Sequence, residues 1–417
     1  MTHPPFYRKR AARRLRDAAG TIFIGLGLGV DVAAAAEAEK PVSAISSHVE
    51  AAPDHSRLVF DLTGAVEARA HPAANPPRII VDLPEVAFRI DPGQGRSAAG
   101  SKLIKSYRYG QFAAGRSRVV VDLLSPARIM KAGVEGNCLI IDLAPTTEAN
   151  FNAAVAQSAA AAPAEQPATR AETAAPPPSD KPVVMIDPGH GGVDMGATGK
   201  HGEQEKTIVL EFARALAAKI EQGGRIKAVM TRNEDIFLPL AERVRIAHHN
   251  NAALFLSIHA DTLAEGHVEG ATVYTVSARA SDAEAARIAE KENLADQAAG
   301  LESKEESGQV GDILFDLTQR ETRAFSAQFS QSLIARWKEA GSLNKNPARS
   351  AGFVVLKSYD IPSALLELGY LSSEKDLARL TSPEWREQAA GKTAEAIEAF
   401  FAARSREARA PEKPRPQ

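Results

Sequence analysis

A segment rich in alanine and proline divides this chain of 417 residues into two parts with different sequence patterns. The segment covers residues 146–181 and contains the run "AAAPAEQPATRAETAAPPPSDK". It has few bulky apolar residues, so burial cannot offset the entropy that would be lost on ordering it. We therefore predict a flexible linker between two domains, and the length of the chain is also typical of two domains.

The first residues have the layout of an export signal. Arginines and a lysine between Arg8 and Arg16 precede an apolar run from Ala18 to Val30, and small residues follow around Ala36. The apolar run is shorter than the about 20 residues that a transmembrane helix needs. We predict a signal peptide over residues 1–38, export by the Sec or the twin-arginine route, and a periplasmic mature protein.

Four similar runs rich in β-branched residues lie between residues 41 and 145, and each ends in Asp-Leu. They are "SRLVFDL" from Ser56, "RIIVDLP" from Arg78, "SRVVVDLL" from Ser117 and "CLIIDLA" from Cys138. Their spacing predicts a duplicated hairpin-like unit whose two copies form a small all-β sandwich domain. The recurring aspartates could be a calcium set, but strand-end residues that cap turns are the favoured interpretation.

Strand-like and helix-like runs alternate over residues 182–403, which predicts an α/β domain with a mostly buried mixed sheet flanked by helices. Residues 404–417 are expected to form a disordered tail. In α/β folds of this kind, ligand chemistry takes place at the carboxyl ends of the strands. The residues that end the strands are therefore the candidates for a functional site.

Two histidines and two glutamates fall at such positions. His190 follows the strand-like run "VVMID", and His259 lies at the end of "ALFLSIHA". Glu205 opens the first helix, and Glu367 lies late in "SALLELG". Two imidazoles and one carboxylate are a common zinc set with an open fourth position, and a further carboxylate would serve as a base. The group favours one zinc ion per chain.

Other interpretations of these residues are weaker. The glycines around His190 suggest a phosphate loop, but the order G-x-x-x-x-G-K-[ST] is absent. Either histidine alone would suit a turn or a satisfied core position, and the metal hypothesis depends on their occurring together. The net charge of −2 and the aromatic content of 6% provide no basic field for nucleic acid.

The motifs in the C-terminal part resemble those of the zinc-dependent N-acetylmuramoyl-L-alanine amidases. The stretches "IDPGHGGVDMGATG", "EQEKTIVLEFARALAAKI", "FLSIHAD" and "SALLELGYLSS" occur in the order of that family. Residues 41–145 resemble the AMIN domain that often precedes such amidases. The resemblance implies hydrolysis of the amide between N-acetylmuramic acid and L-alanine in peptidoglycan, during splitting of the septal wall and separation of daughter cells.

By this resemblance, His190, Glu205 and His259 match the zinc ligands, and Glu367 matches the catalytic glutamate. Glu203 is a second choice for the carboxylate ligand. Asp187 and Arg243 are candidate supports of the site, and each has two interpretations. Asp187 either orients an imidazole or caps a turn. Arg243 forms either a buried ion pair or part of a solvated helix face.

A polar, mostly helix-forming insertion covers about residues 279–318 and is large for a plain connector. Some amidases of the family carry here a regulatory helix whose glutamate blocks the zinc site until a LytM-type activator displaces it. By that resemblance Glu292 is the candidate inhibitory residue, with Glu290 second. A solvent-facing surface helix is the alternative.

The sequence thus predicts an exported, autoinhibited zinc amidase that acts on peptidoglycan as a monomer. Two alternatives are a zinc peptidase that cuts within the stem peptide, because the same chemistry serves any amide, and a non-catalytic protein that binds peptidoglycan.

Overall fold

The computed structural model describes residues 41–90, 98, 100–161, 179–263, 268–301 and 313–409. The predicted signal peptide, residues 1–38, lies outside the described residues. Among those that are described, no helix combines the length and the apolar character that crossing a membrane requires.

The N-terminal domain, from Pro41 to Ala161, is a sandwich of two sheets, as predicted. One sheet has the strand order β5-β1-β2-β9-β8 and the other has the order β3-β4-β7-β6. The strands are β1 (Val42–Ala51), β2 (Ser56–Leu62), β3 (Arg69–Ala73), β4 (Arg78–Pro84), β5 (Val86–Phe88), β6 (Ile104–Ala113), β7 (Arg116–Leu123), β8 (Ala127–Glu135) and β9 (Cys138–Pro145).

The four similar runs form strands β2, β4, β7 and β9, but they do not pair as the predicted hairpins. Strand β2 pairs with β9, and β4 pairs with β7, in both cases antiparallel. These are the interior strands of their sheets, and they are also the strands with nearly continuous buried residues. The most apolar runs thus take the centres of the two sheets, where both faces of a strand are covered. Each sheet receives one run from each half of the duplicated pattern.

The aspartates of these runs have partners on neighbouring strands. The partners are Arg118 for Asp82, Arg108 for Asp122 and Arg57 for Asp142, each at 2.6 Å, and Ser46 for Asp61. Cross-strand pairing therefore accounts for their positions, rather than the turn capping or the calcium set considered from sequence.

The predicted linker is wrong at its beginning, because residues Glu148–Ala161 form helix α1. Alanine-rich sequence favours a helix. Phe151 is 2% exposed, and Phe151 and Val155, four residues apart, pack against the core of the sandwich. Helix α1 therefore belongs to the N-terminal domain. Residues 162–178 of the predicted linker lie outside the described residues.

The C-terminal domain contains the predicted mixed sheet, with the strand order β11-β10-β12-β15-β13-β14. Neighbours pair in parallel except β13 and β15, which are antiparallel. The strands are β10 (Val183–Pro188), β11 (Lys227–Met230), β12 (Ala252–His259), β13 (Ala271–Val276), β14 (Leu343–Ala351) and β15 (Ser363–Glu367).

Helices cover both faces of this sheet. They are α2 (Glu205–Gly223), α3 (Leu240–His249), α4 (Ala283–Asn293), α5 (Ala295–Ala298), α6 (Ile313–Trp337), α7 (Glu374–Leu380) and α8 (Pro383–Arg409). Phe212 of α2, Phe329 of α6 and Ile397 of α8 share one core cluster with the sheet. Ile246 of α3 and Ile288 of α4 share a second cluster with it.

Helix α8 continues to Arg409, so the first residues of the predicted disordered tail, from Arg404 on, are helical. Residues 410–417 lie outside the described residues.

The parallel strands β10, β12 and β15 end at the same edge of the sheet. Pro188 pairs with Ile258, and His259 pairs with Glu367. Because β12 is hydrogen-bonded to both other strands, the loop after β10, the end of β12 and the end of β15 meet. This edge carries the candidate site.

Candidate metal centre

His190, His259 and Glu205 form a buried cluster at this edge. Their exposed fractions are 6%, 5% and 0%. Nε2 of His190 lies 3.2 Å from Oε2 of Glu205, and Nδ1 of His259 lies 3.3 Å from Oε1 of the same carboxylate. The centroids of the two imidazole rings are 4.9 Å apart. One carboxylate thus faces one nitrogen of each ring.

The carboxylate of Glu205 is fixed by main-chain donors. Its Oε2 accepts a hydrogen bond of 2.7 Å from the amide of Ala197, and its Oε1 accepts one of 2.8 Å from the amide of Ala260. Burial opposes the charge of Glu205, but His190 and His259 outweigh it and hold its pKa well below its usual value. The group is therefore an oriented anion. Glu203, the second choice from sequence, instead accepts a hydrogen bond from the amide of His201 in the preceding turn.

His190 is held in an unusual backbone conformation. Its φ of 58° lies in the left-handed region, and its carbonyl accepts a hydrogen bond of 2.8 Å from Arg243. The Nδ1 of His190 lies 2.9 Å from Oδ2 of Asp194, which leaves Nε2 facing Glu205. Burial opposes a charged ring, but Asp194, Glu205 and Glu292 outweigh it and raise the pKa of His190 well above its usual value. The surroundings of this imidazole therefore attract positive charge.

Asp194 was not identified from the sequence, and it takes the role that was considered for Asp187. The carboxylate of Asp187 is bound by three side chains, namely Thr231 at 2.7 Å, Ser257 at 2.8 Å and Arg243 at 2.9 Å. Asp187 and Arg243 thus form a buried ion pair beneath the His190 loop. The signal for Asp194 was its place four residues after His190 in a glycine-rich turn, which allows the loop to fold back on itself.

Gly189 makes room for the second imidazole. A Cβ atom at this position would lie 2.4 Å from Cε1 of His259, closer than nonbonded atoms approach. The glycine before His190 is therefore required by the position of His259, and the sequence "PGHGG" has a steric reason as well as a conformational one.

Glu367 lies beside this cluster and is fully buried. Its Oε2 accepts a hydrogen bond of 3.0 Å from the amide of Asp261, while its Oε1 is buried without a hydrogen-bond partner. Burial, together with the carboxylates of Glu205, Asp261 and Glu292, raises the pKa of Glu367 well above its usual value. A carboxylate with a raised pKa and a free oxygen is suited to proton transfer near neutral pH.

Glu292 of helix α4 enters the same cluster. Its Oε2 lies 3.4 Å from Nε2 of His190 and 3.2 Å from Nδ1 of His259. Glu292 is 4% exposed, whereas Glu290 faces solvent. Burial outweighs the attraction of the two rings and raises the pKa of Glu292. Of the two glutamates considered from sequence, Glu292 is the one that the structure brings to the histidines.

The residues on either side of Glu292 attach helix α4 to the domain. Lys291 forms an ion pair with Asp261. The side-chain amide of Asn293 donates to the carbonyl of Gly352 at 3.0 Å and accepts from the amide of Val354 at 2.8 Å. We call residues 283–301, which comprise α4, α5 and the turn after them, the α4–α5 segment.

Several buried polar atoms of the cluster have no hydrogen-bond partner. They are Nε2 of His190, Nδ1 of His259, Oε1 of Glu292 and Oε1 of Glu367. Orphaned atoms of this kind are rare in folded proteins and require an explanation. His190, His259 and Glu292 offer ligand atoms within 4.8 Å of one another, and they are the group with metal-binding spacing among the described residues.

The distances also suit zinc. Two ligand atoms on a tetrahedral zinc ion lie roughly 3.3 Å apart. The separations between the imidazole nitrogens and the oxygens of Glu205 and Glu292 range from 3.2 to 3.4 Å. Two imidazoles and nearby carboxylates are also donors that zinc prefers. The residues present therefore fit a zinc ion.

Comparisons with known proteins agree with the motifs. Residues 184–399 match the family described as N-acetylmuramoyl-L-alanine amidase, and residues 48–143 match the AMIN domain. The chain is 32% identical over 373 residues to N-acetylmuramoyl-L-alanine amidase AmiC of Escherichia coli O6:H1, which covers 86% of this chain and 89% of that protein. It is 30% identical over 367 residues to AmiC of Neisseria meningitidis, which covers 83% of this chain and 87% of the relative.

A shorter relative matches about half of this chain at higher identity. The amidase AmiA of Salmonella typhimurium is 39% identical over 222 residues, which are 53% of this chain and 76% of that protein. The two AmiC proteins, by contrast, align with most of this chain. The chain belongs to the N-acetylmuramoyl-L-alanine amidase family and carries an AMIN domain before the amidase domain.

Proposed function

We propose that this enzyme hydrolyses, with zinc, the amide bond between the lactyl group of N-acetylmuramic acid and the L-alanine of the stem peptide. The proposal depends chiefly on one observation. Two buried imidazole nitrogens without hydrogen-bond partners face an oriented carboxylate, at the strand ends where α/β enzymes carry their chemistry. Membership of the N-acetylmuramoyl-L-alanine amidase family is the reason for proposing this amide as the bond that is cleaved.

His190, Glu205 and His259 would hold the zinc ion. When bound, zinc supplies a Lewis acid that polarises the amide carbonyl and makes water a better nucleophile. Asp194 keeps Nδ1 of His190 occupied, so that Nε2 is directed to the ion. The main-chain amides of Ala197 and Ala260 prevent the carboxylate of Glu205 from rotating away.

Glu367 would transfer the proton. Its free Oε1 accepts a proton from the attacking water and then delivers it to the leaving nitrogen of L-alanine. The hydrogen bond from the amide of Asp261 fixes the other oxygen, and burial with the neighbouring carboxylates raises the pKa of Glu367, which favours the protonated form that delivers the proton. This cycle returns Glu367 to its starting state.

The α4–α5 segment would keep the enzyme inactive until it is displaced. Oε2 of Glu292 lies 3.4 Å from Nε2 of His190 and 3.2 Å from Nδ1 of His259, where it would compete with the attacking water or the substrate carbonyl for a bound zinc ion. A LytM-type activator protein is the partner that we expect to displace it. We further propose that the substrate is peptidoglycan and that the enzyme is exported to the periplasm. There it would split the septal wall, with the mature chain acting as a monomer.

The test is metal content and muropeptide release by the mature chain, compared with Glu292→Ala and with Glu290→Ala as the matched control. We expect one zinc per chain in all three proteins, and free release of intact stem peptides with a new L-alanine amine only by Glu292→Ala. Fragments cut within the stem peptide would instead assign a zinc peptidase. If Glu292→Ala binds zinc but releases no stem peptides, both the proposed autoinhibition and the proposed amidase activity are contradicted.

A further inference from the structure

The N-terminal domain presents an apolar face to the C-terminal domain. Residues on the outer side of sheet β3-β4-β7-β6 share one buried cluster with residues of the His190 loop, the loop before α3 and the α4–α5 segment. The cluster consists of Ala73, Ile80, Phe112, Ala113, Val120, Val193, Phe237 and Ala299. This contact explains why β4 and β7 are buried on both sides, with Ile79 and Val81 in the sandwich core and Ile80 facing outward.

Two buried arginines on that face bind the end of the α4–α5 segment. Arg78 on β4 and Arg118 on β7 are 2% and 1% exposed. Nη1 of Arg118 donates to the carbonyl of Ala299 at 3.1 Å, and Nη1 of Arg78 donates to the carbonyl of Gln297. Hydrogen bonds from a charged donor to buried carbonyls are among the stronger ones in proteins.

Arg118 is oriented for this contact by its own domain. Its Nε donates to Asp82 at 2.6 Å, and its guanidinium lies 3.5 Å from the centre of the Phe112 ring. The pair of contacts leaves the Nη1 end of the group directed out of the sheet, toward the carbonyl of Ala299. Residues of its own domain therefore hold the arginine in the position of this contact.

The end of the segment fits closely against strand β4. Gly300 has a φ of 82°, and a Cβ atom on it would lie 2.5 Å from Cδ1 of Ile80. A side chain at this point would strain the backbone and would require the side chain of Ile80 to shift.

The same face of the N-terminal domain also contacts two loops of the C-terminal domain, the His190 loop and the loop before α3. The carbonyl of Gln111 accepts hydrogen bonds of 3.3 Å from the amides of Val193 and Phe237. The rings of Phe112 and Phe237 stack with 5.8 Å between centroids. One surface thus contacts both the loop that follows His190 and the segment that carries Glu292.

We propose that this surface is a docking site for residues Gln297 to Leu301 and that its occupation stabilises the state in which Glu292 blocks the metal centre. The inference rests on the proposed autoinhibition and assigns part of its control to the N-terminal domain. Because the domain bridges the segment and the His190 loop, separating it from the C-terminal domain removes the contacts that hold the end of the segment. Movement of the N-terminal domain then releases Glu292.

The experiment uses the zinc-loaded mature chain with two independent changes. The double variant Arg78→Ala/Arg118→Ala removes the donors on the N-terminal domain, and Gly300→Ala obstructs the fit from the other side. Arg108→Ala is the control for the arginines, because Arg108 forms a comparable ion pair with Asp122 inside its own domain. Gly115→Ala is the control for the glycine, because Gly115 has a φ of 69° with open space around its Cβ position.

Two quantities are measured, amide hydrogen exchange of residues 283–301 and muropeptide release without an activator. Both test variants should exchange faster over the segment and release muropeptides roughly tenfold or more faster than the wild type. Both controls should match the wild type. Hydrogen exchange in β2 and β9 reports whether the N-terminal domain is still folded. If the double variant is unfolded, Gly300→Ala alone tests the docking site.

Unchanged exchange over the segment in Gly300→Ala and in a folded double variant would overturn the docking site. If Glu292→Ala is active in the same assay, unchanged exchange in the other variants does not contradict the autoinhibition by Glu292. Faster exchange without any gain in activity, in these variants and in Glu292→Ala alike, would support the docking site and overturn the autoinhibition on which its regulatory role rests.

Discussion

At the scale of single residues, the site combines side chains to which we assign different tasks. His190, Glu205 and His259 present ligand atoms to a common point, whereas Glu367 keeps one oxygen free beside it. Asp194 and Gly189 contribute nothing to the chemistry directly, yet one fixes a ring and the other makes room for a ring. The division between ligands and proton carrier can be tested by substitution.

His190→Ala and Glu367→Gln should separate the two tasks. Made in the Glu292→Ala background, His190→Ala should lose bound zinc, because one imidazole ligand is gone. Glu367→Gln should keep about one zinc per chain and lose roughly 10²–10⁴-fold in turnover, because the amide cannot carry the proton. Metal analysis and muropeptide release check both. A glutamine variant with full turnover would remove Glu367 from the mechanism.

At the scale of secondary structure, burial decided which pieces of the chain became ordered elements. The sequence after Pro145 is poor in bulky residues, but Phe151 and Val155 recur at helical spacing and find a place in the sandwich core. The packing of these two residues orders a helix whose alanines already favour one. The alanine-rich composition alone could not reveal that partner.

Phe151→Ala should loosen the N-terminal domain without disturbing the C-terminal one. Loss of a buried phenylalanine costs about 3–5 kcal/mol of the free energy of unfolding. Hydrogen exchange in β2 and β9 should therefore become faster, while the fluorescence of Trp337 and Trp385, both in the C-terminal domain, should be unchanged. Asn152→Ala, at the exposed neighbouring position, is the control. Equal exchange in the two variants would show that α1 does not support the sandwich.

At the scale of the whole molecule, the C-terminal domain and the α4–α5 segment that it contains enclose one buried cluster of carboxylates. The carboxylates of Asp194, Glu205, Glu292 and Glu367 lie at or next to the two imidazoles. Such a group is unfavourable without a cation, because like charges repel strongly in a buried site. A bound metal ion should therefore stabilise the folded C-terminal domain, in addition to its role in catalysis.

Removal of zinc should lower the thermal stability of the C-terminal domain. At a free zinc concentration about 100 times the Kd, binding contributes about 2.7 kcal/mol, which corresponds to roughly 5–10 °C in Tm. Tryptophan fluorescence during heating, with and without a chelator, measures the change. His190→Ala should show no such difference, and an equal zinc-dependent shift in that variant would place the ion elsewhere.

The sequence by itself determined the two folds and the residues that the structure brings together at the strand ends. Strand ends can be read from local patterns, and parallel pairing then brings together the residues at them, so His190, His259 and Glu367 required no knowledge of packing. Glu205 could be read from sequence as the first residue of the helix that follows β10. Glu290 and Glu292 lie on opposite sides of helix α4. Only the tertiary structure shows which side meets the site, and therefore which glutamate reaches the histidines.

The tertiary structure decided the contacts that join distant parts of the chain. Asp194 replaced Asp187 as the partner of His190 because the glycine-rich loop folds back, a conformation that no periodicity reveals. The crossed pairing of β2 with β9 and β4 with β7 depends on which apolar faces cover one another. The same holds for the binding of Gln297 and Ala299, at the end of the α4–α5 segment, by Arg78 and Arg118. Such choices are made by burial summed over the whole molecule, and local sequence carries no record of them.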